Sequence, residues 1–347
     1  MTVEPALPAD LMEGARAFTD TAVLVISRFS GEGWDRKSVH YEGQVSGEIH
    51  QSELSEKIFQ NSDFCLTNEE AALAEQVKKA FPHVAVVLNV GGMVDTSWFA
   101  KDPGFPAVLL AWQGGMEGGL AMADVLMGKV SPSGKLSDTF AGSLDDYPST
   151  ANFHESPEYV EYTDDIYVGY RYFETLKGAS EKVNYPFGFG LSYTEFSITL
   201  LDCTEKEGTI AAGVLVKNTG ACAGKEVVQL YYGAPQGLLG KPARVLAAFE
   251  KTRELKPGEE QALILSFKTA DMASYDDCGK VCKSAYVLEQ GEYKFYIGTS
   301  VRDAVENATA YTVVKDTVTQ QLTSRLAPTS LTKRMLADGT YEELETT

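Results

Sequence analysis

One carboxylate in this 347-residue chain sits in a setting suited to proton transfer. Glu32 lies between Gly31 and Gly33 in the run Ser30-Gly-Glu-Gly-Trp34-Asp35-Arg36, just after the apolar stretch TAVLVISR. Glycines on both sides let the backbone approach a bound molecule closely. A carboxyl there works as a general acid if burial or a second carboxylate keeps it protonated near neutral pH. Trp34 offers an apolar wall for that purpose, and Asp35 and Arg36 can pair locally to fix the loop. Spacing alone leaves the plainer alternative open: Glu32 as a solvated loop residue and Trp34 as a rim packer.

Other chemically capable groups are weaker. Gln113 and Glu117 flank a helix start after a strand, where capping and interdomain hydrogen bonds are the simpler roles. Gly114, Gly115, Gly118 and Gly119 lack the GxGxxG spacing of a dinucleotide loop. Five cysteines, Cys65, Cys203, Cys222, Cys278 and Cys282, form no framework pattern and read as reduced thiols. The pair in CGKVC lacks companions for a metal site, so neither metal nor cofactor is expected. Tyr167 to Phe173 form an aromatic run better suited to clasping another domain than to binding a ligand.

The elements that must carry these groups change character along the chain. TAVLVISR, HVAVVLNVGG and FPAVLLAW are apolar runs of the kind buried on both faces of a parallel sheet. Between them, Thr67 or Asn68 opens a helix with Glu69 and Glu70 in its first turn. A second helix is expected from Gly114 to Val130, ending at Gly128. Strand and helix in alternation mean an α/β domain, and ligands gather beyond the carboxyl ends of its strands. Residues 29–36, 91–97 and 113–119 are therefore the loops of interest.

Past residue 140 the periodicity stops. Residues 141–192 form an aromatic-rich connecting segment, too aromatic for disorder. From Thr194 the chain alternates with period two through roughly seven short strands separated by turn signals, a pattern that fits an immunoglobulin-like sandwich. Without a Cys…Trp…Cys signature, the fibronectin type III variety fits better. The expected organisation is an α/β domain over 1–140, the connector, an all-β domain over 193–316 and a tail or linker over 317–347.

Composition, 44% hydrophobic and 23% charged, is that of globular protein. A net charge of −19 argues against nucleic acid and anionic lipid as partners. The opening MTVEPALPADLMEGARAF shows neither a basic n-region nor an apolar h-region, and no run approaches the length of a membrane span. A cytoplasmic location is the expectation.

Taken in order, ISRFSGEGWDRK, VVLNVGG, LLAWQGGMEGG, ADVLMGKVSPSGKL, YVGYRYF and YPFGFGLSYT resemble the C-terminal domains of family 3 glycoside hydrolases. NTG, GKEVVQLY and LKPGE extend the resemblance into the β region. It implies a (β/α)8 barrel, an α/β sandwich and a fibronectin type III-like domain, the barrel standing last in some members. It also implies a retaining mechanism on terminal β-D-glucosyl residues of β-glucosides or related oligosaccharides. Glu32 inherits the acid/base role, Trp34 is expected beside the leaving-group subsite, and Asp35 and Arg36 support the loop.

Two departures shape the expectation. The nucleophilic aspartate belongs to the barrel, usually in a Ser-Asp-Trp-like motif, and no such motif is present. The acid/base loop also comes within the first thirty or so residues, so the α/β domain reads as N-terminally incomplete. The chain is expected to be a fragment of a β-glucosidase, inactive alone. The alternative is a stand-alone, non-catalytic module that binds a sugar or a protein.

Overall fold

The computed structural model describes residues 8–28, 58–59, 61–153, 156, 158–326 and 330–344. The chain divides into two units, Met1–Leu126 with Phe140–Val160, and Met127–Thr139 with Glu161–Thr347.

In the first unit, helix α1 (Ala9–Phe18) leads into β1 (Thr21–Arg28), and helix α2 (Asn68–Ala80) into β2 (His83–Val90). A short helix α3 (Ser97–Ala100), strand β3 (Ala107–Leu110) and helix α4 (Gly118–Leu126) follow. The strands form a parallel sheet in the order β1-β2-β3. Thr67 is the N-cap of α2, and its hydroxyl accepts the Glu70 N–H at 3.1 Å. Glu70 returns the bond by accepting the Thr67 N–H at 2.9 Å, which completes a capping box.

Three expectations change here. TAVLVISR is not buried on both faces: Leu24, Ile26 and Arg28 point inward while Val23 and Val25 are exposed. Burial on both faces belongs to the central strand, and β2 comes nearest to it. The third strand is only Ala107–Leu110, and its helix opens at Gly118 rather than Gly114. Trp112, in left-handed backbone at φ 53°, and Gly115, at φ 67°, turn the chain before that helix begins.

The second unit is built on β4 (Phe196–Lys206), β5 (Thr209–Asn218), β6 (Val227–Gly233), β7 (Val245–Lys251) and β8 (Glu260–Lys268). The later strands are β9 (Ser274–Asp276), β10 (Ala285–Leu288), β11 (Gly291–Gly298), β12 (Val305–Val313) and β13 (Thr317–Gln321). One sheet runs β8-β5-β4 and a second β12-β11-β6-β7, both antiparallel. Their inner faces share one core, in which Val214, Val216, Leu230, Leu265 and Phe295 are buried. Asn218, fully buried, ties the NTG turn to this core. Its amide donates to the carbonyls of Cys222 (2.7 Å) and Leu255 (2.8 Å), and its oxygen accepts from the Thr194 hydroxyl at 2.7 Å. Gly220 follows because a Cβ there would lie 2.3 Å from that hydroxyl.

The stretch expected as tail or linker folds back onto this unit. Residues 317–321 pair with β10, and strands β14 (Lys333–Met335) and β15 (Tyr341–Glu343) form a hairpin. Arg334 bridges Asp277 (2.8 Å) and Glu342 (3.1 Å), and the Met335 N–H donates to Thr163 O at 2.7 Å.

Candidate functional site

In a parallel sheet all strands end on the same side, so β1 at Arg28, β2 at Val90 and β3 at Leu110 share one carboxyl end. Glu32, Trp34, Asp35 and Arg36 lie outside the described residues. The root of their loop is described in detail, and its central residue is Arg28, the last of β1.

Arg28 is buried, and its guanidinium uses every donor it has. Nη1 and Nη2 clasp the two oxygens of Glu70 at 2.7 and 2.6 Å. The remaining N–H groups reach the carbonyls of Asp63 (2.8 Å), Ser27 (2.8 Å) and Cys65 (3.0 Å). The carboxylate held this way is the one that closes the α2 capping box. One cation thus joins the end of β1, the approach to α2 and its first turn. On the sheet side, Gly91 N–H donates to Arg28 O at 3.0 Å and Ala111 N–H to Leu88 O at 2.9 Å. The exits of all three strands are stitched together before any loop departs.

The neighbouring loop is ordered by the same means. Asp95 N–H donates to Phe64 O at 2.8 Å, and its carboxylate accepts the Ser97 N–H at 2.8 Å. Burial, reinforced by the Asp95 carboxylate, pushes the Cys65 thiol up. Gln113 is exposed, and Glu117 stands immediately before α4, its backbone carbonyl accepting the Ala121 N–H at 3.0 Å. Among the described residues no cluster of His, Cys, Asp and Glu is arranged to hold a metal ion.

Tyr167 and Phe173, the two ends of the aromatic run, are buried within the second unit, while Val168 between them is exposed. The Tyr170 ring lies 4.5 Å from that of Phe187, and its hydroxyl accepts the Leu246 N–H at 3.0 Å. Burial pushes the Tyr167 phenol up to about 12. These residues join the connecting segment to the β-sandwich. Sequence reasoning missed Arg28 and its partner Glu70 as a unit. The one available signal was a charged residue closing an apolar strand just before the loop of interest.

The chain is a parallel α/β layer followed in sequence by an antiparallel β-sandwich. The comparisons agree. Residues 12–193 match the glycosyl hydrolase family 3 C-terminal domain and residues 226–301 a fibronectin type III-like domain. The chain belongs to glycosyl hydrolase family 3. It is 55% identical to Beta-glucosidase A of Butyrivibrio fibrisolvens, over 100% of this chain and 44% of that one. It is 41% identical to a Beta-glucosidase of Ruminococcus albus, over 98% of this chain and 34% of the relative. The crystal structure of a novel beta-glucosidase from Paenibacillus barengoltzii superposes with a TM-score of 0.84 at 42% identity, covering 98% of this chain and 36% of its own. The chain thus spans less than half the length of these relatives.

Proposed function

We propose that this chain supplies the acid/base half of a retaining β-glucosidase acting on terminal non-reducing β-D-glucosyl residues. In this reading Glu32 protonates the departing glycosidic oxygen and then, as carboxylate, activates the water that releases the sugar. The attacking carboxylate comes from a (β/α)8 barrel domain outside this chain. Its charge and the Trp34 face keep Glu32 protonated until substrate arrives. Trp34 flanks the leaving group, and Asp35 and Arg36 brace the loop. The observation that carries the reading is the 55% identity to a Beta-glucosidase A along the whole chain. The anchored root at Arg28 supports it, because a proton donor is useful only from a fixed position.

The chain alone is inert toward aryl β-glucosides, because a retaining mechanism needs both carboxyl groups. Its five free thiols suit a reducing cytoplasm. The test is Glu32→Gln in the complete enzyme. Hydrolysis of substrates with poor leaving groups should fall by about 10²–10⁴-fold, the usual contribution of a positioned acid. Dinitrophenyl glucosides, which need no proton, should lose far less in the glycosylation step. Equal loss on both substrates, or none, removes Glu32 from the role and favours a non-catalytic sugar- or protein-binding module.

A further inference from the structure

We infer that β8 is a self-pairing edge, along which a second copy of this chain adds antiparallel about Ile264 and joins two β8-β5-β4 sheets into one. Among the described residues β8 pairs only with β5, in an unbroken antiparallel register of nine pairs from Glu260–Lys217 to Lys268–Thr209. In such a ladder alternate residues bond to the partner strand. The phase is fixed at both ends, since Asn218 N–H donates to Glu259 O at 3.0 Å and Thr269 N–H to Gly208 O at 2.8 Å. Gln261, Leu263, Leu265 and Phe267 therefore bond to β5. Glu260, Ala262, Ile264, Ser266 and Lys268 turn their N–H and C=O groups to the open side. The Asp271 carboxylate accepts the Lys268 N–H at 3.1 Å, so the open row of donors runs from Glu260 to Ser266.

An open row of backbone donors and acceptors templates pairing, and isolated proteins blunt it with charges, bulges or short strands. The other three edges of the two sandwich sheets carry those devices. Edge strand β4 has Asp202, Glu205 and Lys206 and a register shift between Leu200 and Asp202. Edge strand β7 has Glu250 and Lys251 with a shift in its ladder to β6, and edge strand β12 has Glu306 and a shift opposite Lys294. Between its ends β8 has none of them: Gln261 to Phe267 hold no charge, proline or glycine, and the ladder has no shift. Ile264 stands at its midpoint, 73% exposed.

The order of the side chains identifies the occupant. A two-fold axis at Ile264 sets Ile264 against its own copy, Ala262 against Ser266, and each Glu260 against the other copy's Lys268. Every residue paired this way is one whose backbone groups face the open side, so the new ladder forms without disturbing β5. A register slipped by two residues loses both charge pairs and leaves Ile264 facing Ala262 or Ser266. Such a self-complementary order is what an isologous contact demands, and opposite charges and aliphatic pairs set directly across a ladder favour it. Glu260 already holds Lys217 at 2.9 Å, but both side chains are nearly half exposed, so the carboxylate stays open to a second cation. The inference is independent of the role of Glu32, and its test reads association rather than turnover.

Sedimentation velocity of this chain between about 1 μM and about 1 mM should show a reversible monomer–dimer equilibrium. Dimerisation should slow hydrogen exchange at the Ala262, Ile264 and Ser266 amides by about tenfold or more. Ile264→Lys, which sets two like charges across the axis, should weaken the dimer by about tenfold or more while leaving the melting temperature of the monomer unchanged. Glu260→Lys and Lys268→Glu should each weaken self-association, because each homodimer then holds two like-charged pairs. An equimolar mixture of those two variants should dimerise far better than either alone, because both pairs are again of opposite charge. A chain that stays monomeric at about 1 mM overturns the inference. So does a dimer indifferent to Ile264→Lys, or a mixture that associates no better than its components. Protection of the three amides in the monomer overturns it as well, since the edge would then be covered within the chain.

Discussion

Replacing Arg28 with methionine tests whether the end of β1 is held as the structure implies. Methionine keeps much of the stem's volume but removes five donated hydrogen bonds at once. Two of those go to a carboxylate and three to the backbone carbonyls of Ser27, Asp63 and Cys65. Breaking a buried ion pair by removing one partner typically costs about 3–5 kcal/mol. The Arg28 side chain is 3% exposed and that of Glu70 24%, so water can recover part of the carboxylate's solvation. The low end, about 3 kcal/mol, is the expected loss. For a unit of this size that corresponds to a fall of about 6–12 °C in its melting temperature. Calorimetry should show the fall in the transition of the first unit and leave that of the second in place. A double-mutant cycle then separates the pair from general damage. Adding Glu70→Gln to Arg28→Met should return about 1 kcal/mol or more, because the stranded charge is gone. A change of less than about 2 °C on Arg28→Met, or strict additivity in the cycle, would refute the view that this pair anchors the loop root.

The remaining predictions concern the second unit. Asp276 is buried, which by itself raises a carboxyl pKa. Four backbone N–H groups, from Gly279, Lys280, Val281 and Cys282, outweigh that and hold it below the ordinary carboxylate range. A depressed folded-state pKa contributes stability above the unfolded value of about 3.9 and loses it as pH falls through the folded one. Asp276→Asn should therefore flatten the acid limb of the stability–pH curve, measured by urea unfolding, and cost about 1–3 kcal/mol at pH 7. Asn218→Ala should destabilise the sandwich by about 2–3 kcal/mol, read from the denaturant midpoint, because Thr194, Gly220, Cys222 and Leu255 each lose a bond to this buried side chain. Arg334→Met should free the β14–β15 hairpin, detected as faster proteolytic cleavage within residues 322–332 while the core midpoint shifts by less than about 1 kcal/mol.

Much of the fold was legible because it is written in local periodicity. Leu24 and Ile26 set the strand, Thr67 and Glu70 announced the helix start, and Asn218-Thr-Gly marked its turn. What local pattern could not supply was which strand is central. The valines of TAVLVISR are as apolar as those of HVAVVLNV, yet only the second run is mostly buried, since burial depends on which strand is central. The aromatic run at Tyr167 to Phe173 was visible as a packing surface, but not which partner it packed on. Composition names a sticky face; only topology names what sticks to it.

The same distinction bears on the site. A loop motif can be read from its residue types, whereas the stiffness of its mount depends on contacts distant in sequence. Arg28 meets Asp63, Cys65 and Glu70 across separations of 35, 37 and 42 residues. Those contacts form only when β1 and the start of α2 are already in place. The chain that leaves β1 at Arg28 therefore inherits its starting point from the folding of this layer.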